Sequence, residues 1–324
     1  MLRSLLLASA AAALAVPAVA GASSVTSTPT GPGGRYVETF TGGAGVNQVT
    51  FEGRGLFSHS WTDAAQPLTA LEGCSDGAPV ACIGGDAVAN LGGGDDTFNN
   101  PFGNLSVTVN GGAGADTISA NGNITTVHGD GGGDTIDVNA NGSPYATGEG
   151  GDDHLRGGRG PNVFSVNLSG DADNDLVVGW SYGNDKLFGG TGNDQLFSTY
   201  GRGTLDGGAG NDVIVDLGVK PGGFTALGGS GADTIVGTPD GTDVVDAGAG
   251  NDIIDVTGVS DPEFPVSDTV ACGDGKDTVY ADADDEVAAD CEKVKHVPAS
   301  WLPGVDQAVE HLKDTYPDNP TGTY

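Results

Sequence analysis

The stretch GGTGNDQLF, residues 189–197, decides the fold. Three of its first four residues are glycine, an acid stands sixth, and the last two are apolar. Just upstream, SYGNDKLF at residues 181–188 closes in the same way, so Asp185 and Asp194 lie nine residues apart. Places where a glycine-rich turn leads into Asp or Asn recur along the chain at Asp96, Asp116, Asp134, Asp153, Asn162, Asp175, Asp185, Asp194, Asp212, Asp233, Asp243, Asp252 and Asp277. The second residue after each is Phe98, Ile118, Ile136, Leu155, Phe164, Val177, Leu187, Leu196, Ile214, Ile235, Val245, Ile254 and Val279. All thirteen are apolar in a chain only 37 % hydrophobic, so the order is a structural unit rather than a bias of composition.

Residue type gives the mechanics. Glycines in the turn allow positive φ and bring carbonyl oxygens inward, and the next residues extend as a short strand with one side chain pointing inside. A strand that short is unstable alone, so the units must stack as coils around a shared thin interior. The expected fold is all-β: a parallel β-roll, or narrow β-solenoid, with an N-terminal β cap and a short C-terminal helix.

Spacing then separates two edges. The Asp at 96, 116, 134, 153, 175, 194, 212, 233, 252 and 277 are 18 to 25 residues apart, near twice nine, as expected for a coil of two strands and two turns. Those ten line one edge. Midway turns are poorer (NGN at 121–123, NGSP at 141–144, RGPN at 159–162, KPGG at 220–223), and there only Asp185 and Asp243 keep an acid. One ion-binding edge and one mostly structural edge are predicted.

An ion is needed because neighbouring coils sit about 4.7 to 4.9 Å apart. Two carboxylates at that distance repel by about 1 kcal/mol in water and about 3 kcal/mol at an effective dielectric of 20. The oxygens on offer, carboxylate and carbonyl with no His or Cys among them, suit Ca²⁺ better than Mg²⁺ or Zn²⁺. The candidate ligands are Asp96, Asp116, Asp134, Asp153, Asp175, Asp185, Asp194, Asp212, Asp233, Asp243, Asp252 and Asp277.

GGAGADTIS at 111–119, GGTGNDQLF at 189–197, GGAGNDVIV at 207–215 and GGSGADTIV at 228–236 resemble the hemolysin-type, or RTX, nonapeptide, a known calcium-binding repeat. The resemblance spans roughly residues 91–282. It implies a calcium-loaded parallel β-roll in which each ion is shared between the aspartate of one turn and carbonyls one coil on. Asp116, Asp134, Asp153, Asp194, Asp212, Asp233 and Asp252 match the motif most closely. Asp96 and Asp277 stand in imperfect turns at the ends of the array, and Asn162 replaces the acid.

Bulk properties agree. The 58 glycines among 324 residues are roughly 18 %, against about 7 % on average, and their period argues for order. Forty-four acidic against 12 basic residues give a charge of -32, which argues against nucleic acid and an anionic membrane as partners and for cations. MLRSLLLASAAAALAVPAVA at 1–20 reads as a cleaved secretory signal, no later segment is apolar enough to span a bilayer, and an extracellular, released protein is expected. In an exported chain the four cysteines favour disulfides, with proximity pairing Cys74 with Cys82 and Cys272 with Cys291. A cleavable start differs from the C-terminal export signal of well-known RTX proteins.

Other constellations are weaker. DADND at 171–175 opens like an EF-hand loop but has Leu176 where glycine is required. GGSGA at 228–232 misses the serine-hydrolase elbow at its last place, and no H-E-x-x-H occurs. A β-helix polysaccharide-active enzyme would need carboxylates outside the ion-binding place, and no strand face is expected to present an Asp beside a Lys or Arg. A glycan-, cell-surface- or ice-binding face would need a regular row, and Thr97, Thr117, Thr135, Thr234 and Thr278 supply a broken one. Residues 21–90 show alternating strands without a full repeat and are expected to cap the first coil, with 91–282 the roll and 283–324 a C-terminal cap, helix and tail. Val305, Ala308, Val309, Leu312 and Tyr316 fall at helical spacing. The function expected is that of a secreted, non-enzymatic calcium-binding repeat protein whose metal binding and folding are one event.

Overall fold

The computed structural model describes residues 23–29, 36–53, 59–65, 69–70, 74–75, 80–82, 86–100, 106–121, 124–139, 141–158, 163–181, 183–199, 202–217, 222–237, 241–257 and 267–296. The expected signal segment, Asn162 and the expected C-terminal helix lie outside them.

The chain winds as a flattened parallel β-solenoid of two 15-stranded sheets. Each coil contributes one strand to the first sheet, as in Asp185–Thr191, and after a turn one to the second sheet, as in Gln195–Ser198. Successive coils pair in parallel, in register, through the whole repeat region: Ile136 lies over Ile118, Leu155 over Ile136, Val177 over Leu155, Leu196 over Val177 and Ile214 over Leu196. Because strand side chains alternate, this register stacks one apolar residue per coil into a continuous inner ladder. The facing ladder on the first sheet runs Leu168, Leu187, Leu205, Ala226, Val245 and Val270. Both ladders are buried.

Twelve of the thirteen apolar positions expected to point inward do so. Phe164 is the correction: it is 71 % exposed, while Val163 and Val166 beside it are buried. The sequence before it, GGRGPN at 157–162, has the glycines of the repeat but Asn162 in place of the acid.

In the N-terminal region, Tyr36–Thr41 and Gln48–Gly53 form a coil parallel to Asp86–Gly93 and Thr97–Asn100. Their connecting turn, GGAGVNQVT at 42–50, is a nonapeptide with Asn47 at the acid place. Beyond this coil the pairing turns antiparallel: Ser24–Pro29 covers the edge of one sheet and His59–Asp63 that of the other. Trp61 fills the open end, stacked on Phe40 at 5.8 Å and against Phe51 at 4.5 Å, its indole N–H donating to Glu38. Such an end would otherwise present unpaired strand edges. The other end is fastened by the Cys272–Cys291 disulfide, as expected. The backbones of Cys74 and Cys82 lie opposite each other in an antiparallel pair. Among the described residues no helix is long and apolar enough to cross a membrane.

Candidate metal centre

The edge that leads from the first sheet into the second is built from six-residue turns of the type GGAGAD. In the turn ending at Asp116, the glycines at the second and fourth places, Gly112 and Gly114, have φ of 105° and 132°, a region glycine enters freely. A Cβ at Gly114 would stand 2.3 Å from the carbonyl oxygen of Gly94 one coil back, so glycine is needed for the coils to approach as well as for the turn.

The acid at the sixth place points inward and is buried at every coil: Asp96, Asp116, Asp134, Asp153, Asp175, Asp194, Asp212, Asp233, Asp252 and Asp277. One carboxylate oxygen of each has a clear task. The main-chain N–H of Asp116 donates to Oδ1 of Asp134 at 2.8 Å, that of Asp134 to Asp153 at 2.7 Å, and that of Asp153 to Asp175 at 2.8 Å. The rail continues from Asp175 through Asp194, Asp212, Asp233 and Asp252 to Asp277 without a missing rung. Glu292, which the sequence pattern does not mark, accepts from Asp277 and closes it.

The other oxygen has no partner. Oδ2 of all ten Asp is buried without a hydrogen bond. In the turns that begin with Gly111, Gly129, Gly189 and Gly228 it lies near a carbonyl oxygen of the next coil, beside that first glycine, where a Cβ would fill the space. At Gly111 such a Cβ would lie 2.4 Å from Asp116 Oδ2 and 2.7 Å from the carbonyl oxygen of Gly129, one coil on. At Gly189 the corresponding distances are 2.4 Å to Asp194 Oδ2 and 2.5 Å to the Gly207 carbonyl. Two buried oxygens, one anionic, with no donor between them are costly unless positive charge joins them. Among the described residues no three His, Cys, Asp or Glu side chains gather at one point, so a cation here draws most of its oxygens from the main chain.

Asn47 provides an internal control. At the acid place of the first coil, its Nδ2 donates to the carbonyls of Gly45 at 2.7 Å and Leu91 at 3.0 Å. Leu91 stands at the first place of the next turn, equivalent to Gly129 with respect to Asp116. The amide N–H group thus satisfies the carbonyl oxygens that the Asp turns leave facing a carboxylate. The donor set therefore fits a hard, oxygen-seeking divalent cation.

Electrostatics point the same way. With no cation, burial pushes the carboxyl of Asp116 up to about 6, Asp134 and Asp153 to about 7, Asp175 to about 8, Asp194 to about 6, Asp212 to about 7 and Asp252 to about 6. Asp96 and Asp233 are raised by burial as well. Further acids crowd the same edge in strained backbone: Asp130, Glu149, Asp171 and Asp173 hold φ between 71° and 78° at second and fourth places that glycine occupies elsewhere. A non-glycine residue there costs about 1 to 3 kcal/mol.

The opposite edge is more structured than the sequence implies. Asp185 accepts from the N–H of Val166 and the hydroxyl of Ser181. Asp243 accepts from Phe224, and its own N–H donates to Asp268, whose N–H donates to Asp285, a three-rung rail. Asp268 and Asp285 were legible only by extending the Asp243 spacing past an insertion. The threonine row is regular over Thr97, Thr117 and Thr135, then broken by His154 and Leu176 at the equivalent positions. Against expectation, one outer strand face does bring an acid and a base together: Arg156 pairs with Asp137 of the neighbouring coil and lies 5.7 Å over Trp180.

No curated protein and no solved structure matches the chain. Residues 147–181, 167–196, 181–214 and 227–261 match the family model of the RTX calcium-binding nonapeptide repeat, in four copies. The matched stretches hold the turns of Asp153, Asp175, Asp194, Asp212, Asp233 and Asp252, and the turns of Asp116 and Asp134 outside them have the same geometry. The chain thus carries several RTX nonapeptide repeats, and Ca²⁺ is the cofactor such repeats bind.

Proposed function

We propose that this protein is an extracellular, non-enzymatic calcium-binding β-roll in which Asp116, Asp134, Asp153, Asp175, Asp194, Asp212 and Asp233 hold the ions, and that folding of the roll depends on them. These seven turns begin with glycine, which leaves the space beside Oδ2 open. The turns of Asp96, Asp252 and Asp277 begin with Leu91, Ala247 and Cys272, whose side chains narrow that space, and they rank below the seven. A bound Ca²⁺ supplies positive charge and accepts six to eight oxygens in flexible geometry. The chain does the rest. Oδ1 of each Asp fixes the coil before it through a main-chain N–H, which aims Oδ2 at the carbonyl of the coil after it. Glycine at the second and fourth places lets the coils close to the distance at which those oxygens meet.

The observation that carries the reading is the row of buried, unpartnered Oδ2 atoms. In an unfolded chain those oxygens are hydrated and apart, so an ion bound between coils stabilises the folded chain over the unfolded one. Export follows from the same chemistry. Extracellular calcium modules commonly bind at about 10⁻⁴ to 10⁻³ M, so the chain stays open where calcium is scarce and folds outside. A calcium titration followed by circular dichroism tests this: β signal should rise cooperatively with calcium and Mg²⁺ should not replace it. A β signal complete before any calcium is added contradicts the proposal.

A further inference from the structure

The outer face of the second sheet changes character part-way along. On the coils of Thr117–Ala120 and Thr135–Val138 its outward residues are Thr117, Ser119, Thr135 and Asp137, and at the far end Lys293 and Lys295 point outward. Between them, Leu176, Val178, Trp180, Phe197 and Val215 form an apolar cluster separate from the inner core. They alternate with the inward Val177, Leu196 and Ile214, so they lie on the outside of the solenoid. Yet Val178 and Phe197 are fully buried and Val215 is 3 % exposed. Among the described residues every strand belongs to one of the two sheets, and none lies across this face.

We infer that this face is the docking site of the chain's own C-terminal segment, residues 303–316, lying across it as an amphipathic helix. Three observations favour that occupant. The last described strand, Lys293–Lys295, belongs to the same sheet as the patch. Reach is sufficient: that strand is three coils from Thr234–Val236 and six from Leu176–Gly179, about 14 and 29 Å at strand spacing. Residues 297–302 extend at most about 20 Å, and fourteen helical residues add about 21 Å. Pattern matches too, since Val305, Val309, Leu312 and Tyr316 give one apolar stripe, with Asp306, Glu310 and Lys313 off it. The patch exists only when the coils of Leu176, Phe197 and Val215 are stacked, so docking follows assembly of the roll.

The test uses the full-length chain with calcium. A thiol introduced by Val215→Cys is labelled by a maleimide, with the rate on the parent chain subtracted, and Thr135→Cys on the polar part of the same face serves as control. Adding Val309→Asp and Leu312→Asp should speed labelling at position 215 by about tenfold or more, as the covered fraction falls, and leave position 135 unchanged. Labelling at 215 that stays slow in both backgrounds overturns the inference in favour of the internal segment 258–266. Slow labelling that speeds up on dilution overturns it in favour of a second copy of the chain. If the Asp pair abolishes the calcium-induced β signal, Val215→Cys is instead combined in turn with Val305→Cys, Val309→Cys and Leu312→Cys. An intramolecular disulfide in at least one combination supports docking, and none in any contradicts it.

Discussion

The main-chain N–H of Asp194 donates to Oδ1 of Asp212, one coil on, at 2.9 Å, while Oδ2 of Asp212 remains buried and unpaired. One carboxylate is thus both a strut between coils and half of an unsatisfied ion site, and the two roles separate by mutation. Asp212→Ala removes both and leaves the Asp194 N–H without its acceptor, at about 1 to 3 kcal/mol. Asp212→Asn keeps an acceptor for that N–H and places an amide donor near the carbonyls, as Asn47 does. The Asn variant should bind fewer calcium ions but unfold at a higher urea concentration than the Ala variant.

Asn47→Asp is the converse experiment. It completes GGAGVD at 42–47 and replaces the donor to Gly45 and Leu91 with a second buried anion beside Asp96. Calorimetry should count more bound calcium than in the parent, and the metal-free variant should be less structured. Unchanged stoichiometry and stability would show that the amide is not standing in for a cation.

Glu149 occupies a second place at φ 78°, and its Oε1 lies 3.2 Å from Nδ1 of His128. Glu149→Gly removes backbone strain of about 1 kcal/mol or more and one negative charge near the ion edge. Metal-free stability should therefore rise while calcium affinity falls, opposite signs that titration and urea unfolding measure separately.

Protonation should partly replace calcium. The folded-state pKa values of Asp134, Asp153, Asp175 and Asp212, about 7 to 8, lie above the unfolded carboxyl value near 3.8. A group raised on folding contributes stability below its unfolded pKa and loses it as pH rises through its folded pKa. Metal-free chain should accordingly gain β structure as pH falls from 8 towards 5, and calcium affinity should increase over the same range as pH rises. Calcium affinity independent of pH between 5 and 8 would contradict burial of these acids in the metal-free roll.

Much of this was legible because one rule, glycine-rich turn then acid then strand, recurs often enough to set both the coil and its edge. Where the sequence departs from that rule, reading it was harder for identifiable reasons. The turn at 42–50 keeps every glycine but has Asn47 for the acid, and a search keyed to charge passes over it. Glu292 reaches the rail with a longer side chain from a turn of different composition. Asp268 follows an insertion that shifts its spacing. Phe164 shows the reverse: GGRGPN at 157–162 keeps glycine at the first, second and fourth places, but it ends in Asn162 rather than an acid and the second residue after it is exposed. The apolar outer face of Phe197 and Val215 was invisible to an inward-outward count, because an alternating strand normally turns its other side to water.

The central claim is that the carboxylate rail holds the coils together only when its charge is neutralised, which above neutral pH requires metal. Hydrogen exchange at the main-chain amides of Asp175, Asp194 and Asp212, the donors of the rail, measures it at pH 7.5 in calcium and in excess EDTA. Strong protection in calcium and its loss throughout the rail in EDTA is the predicted result; equal protection in both would contradict the account.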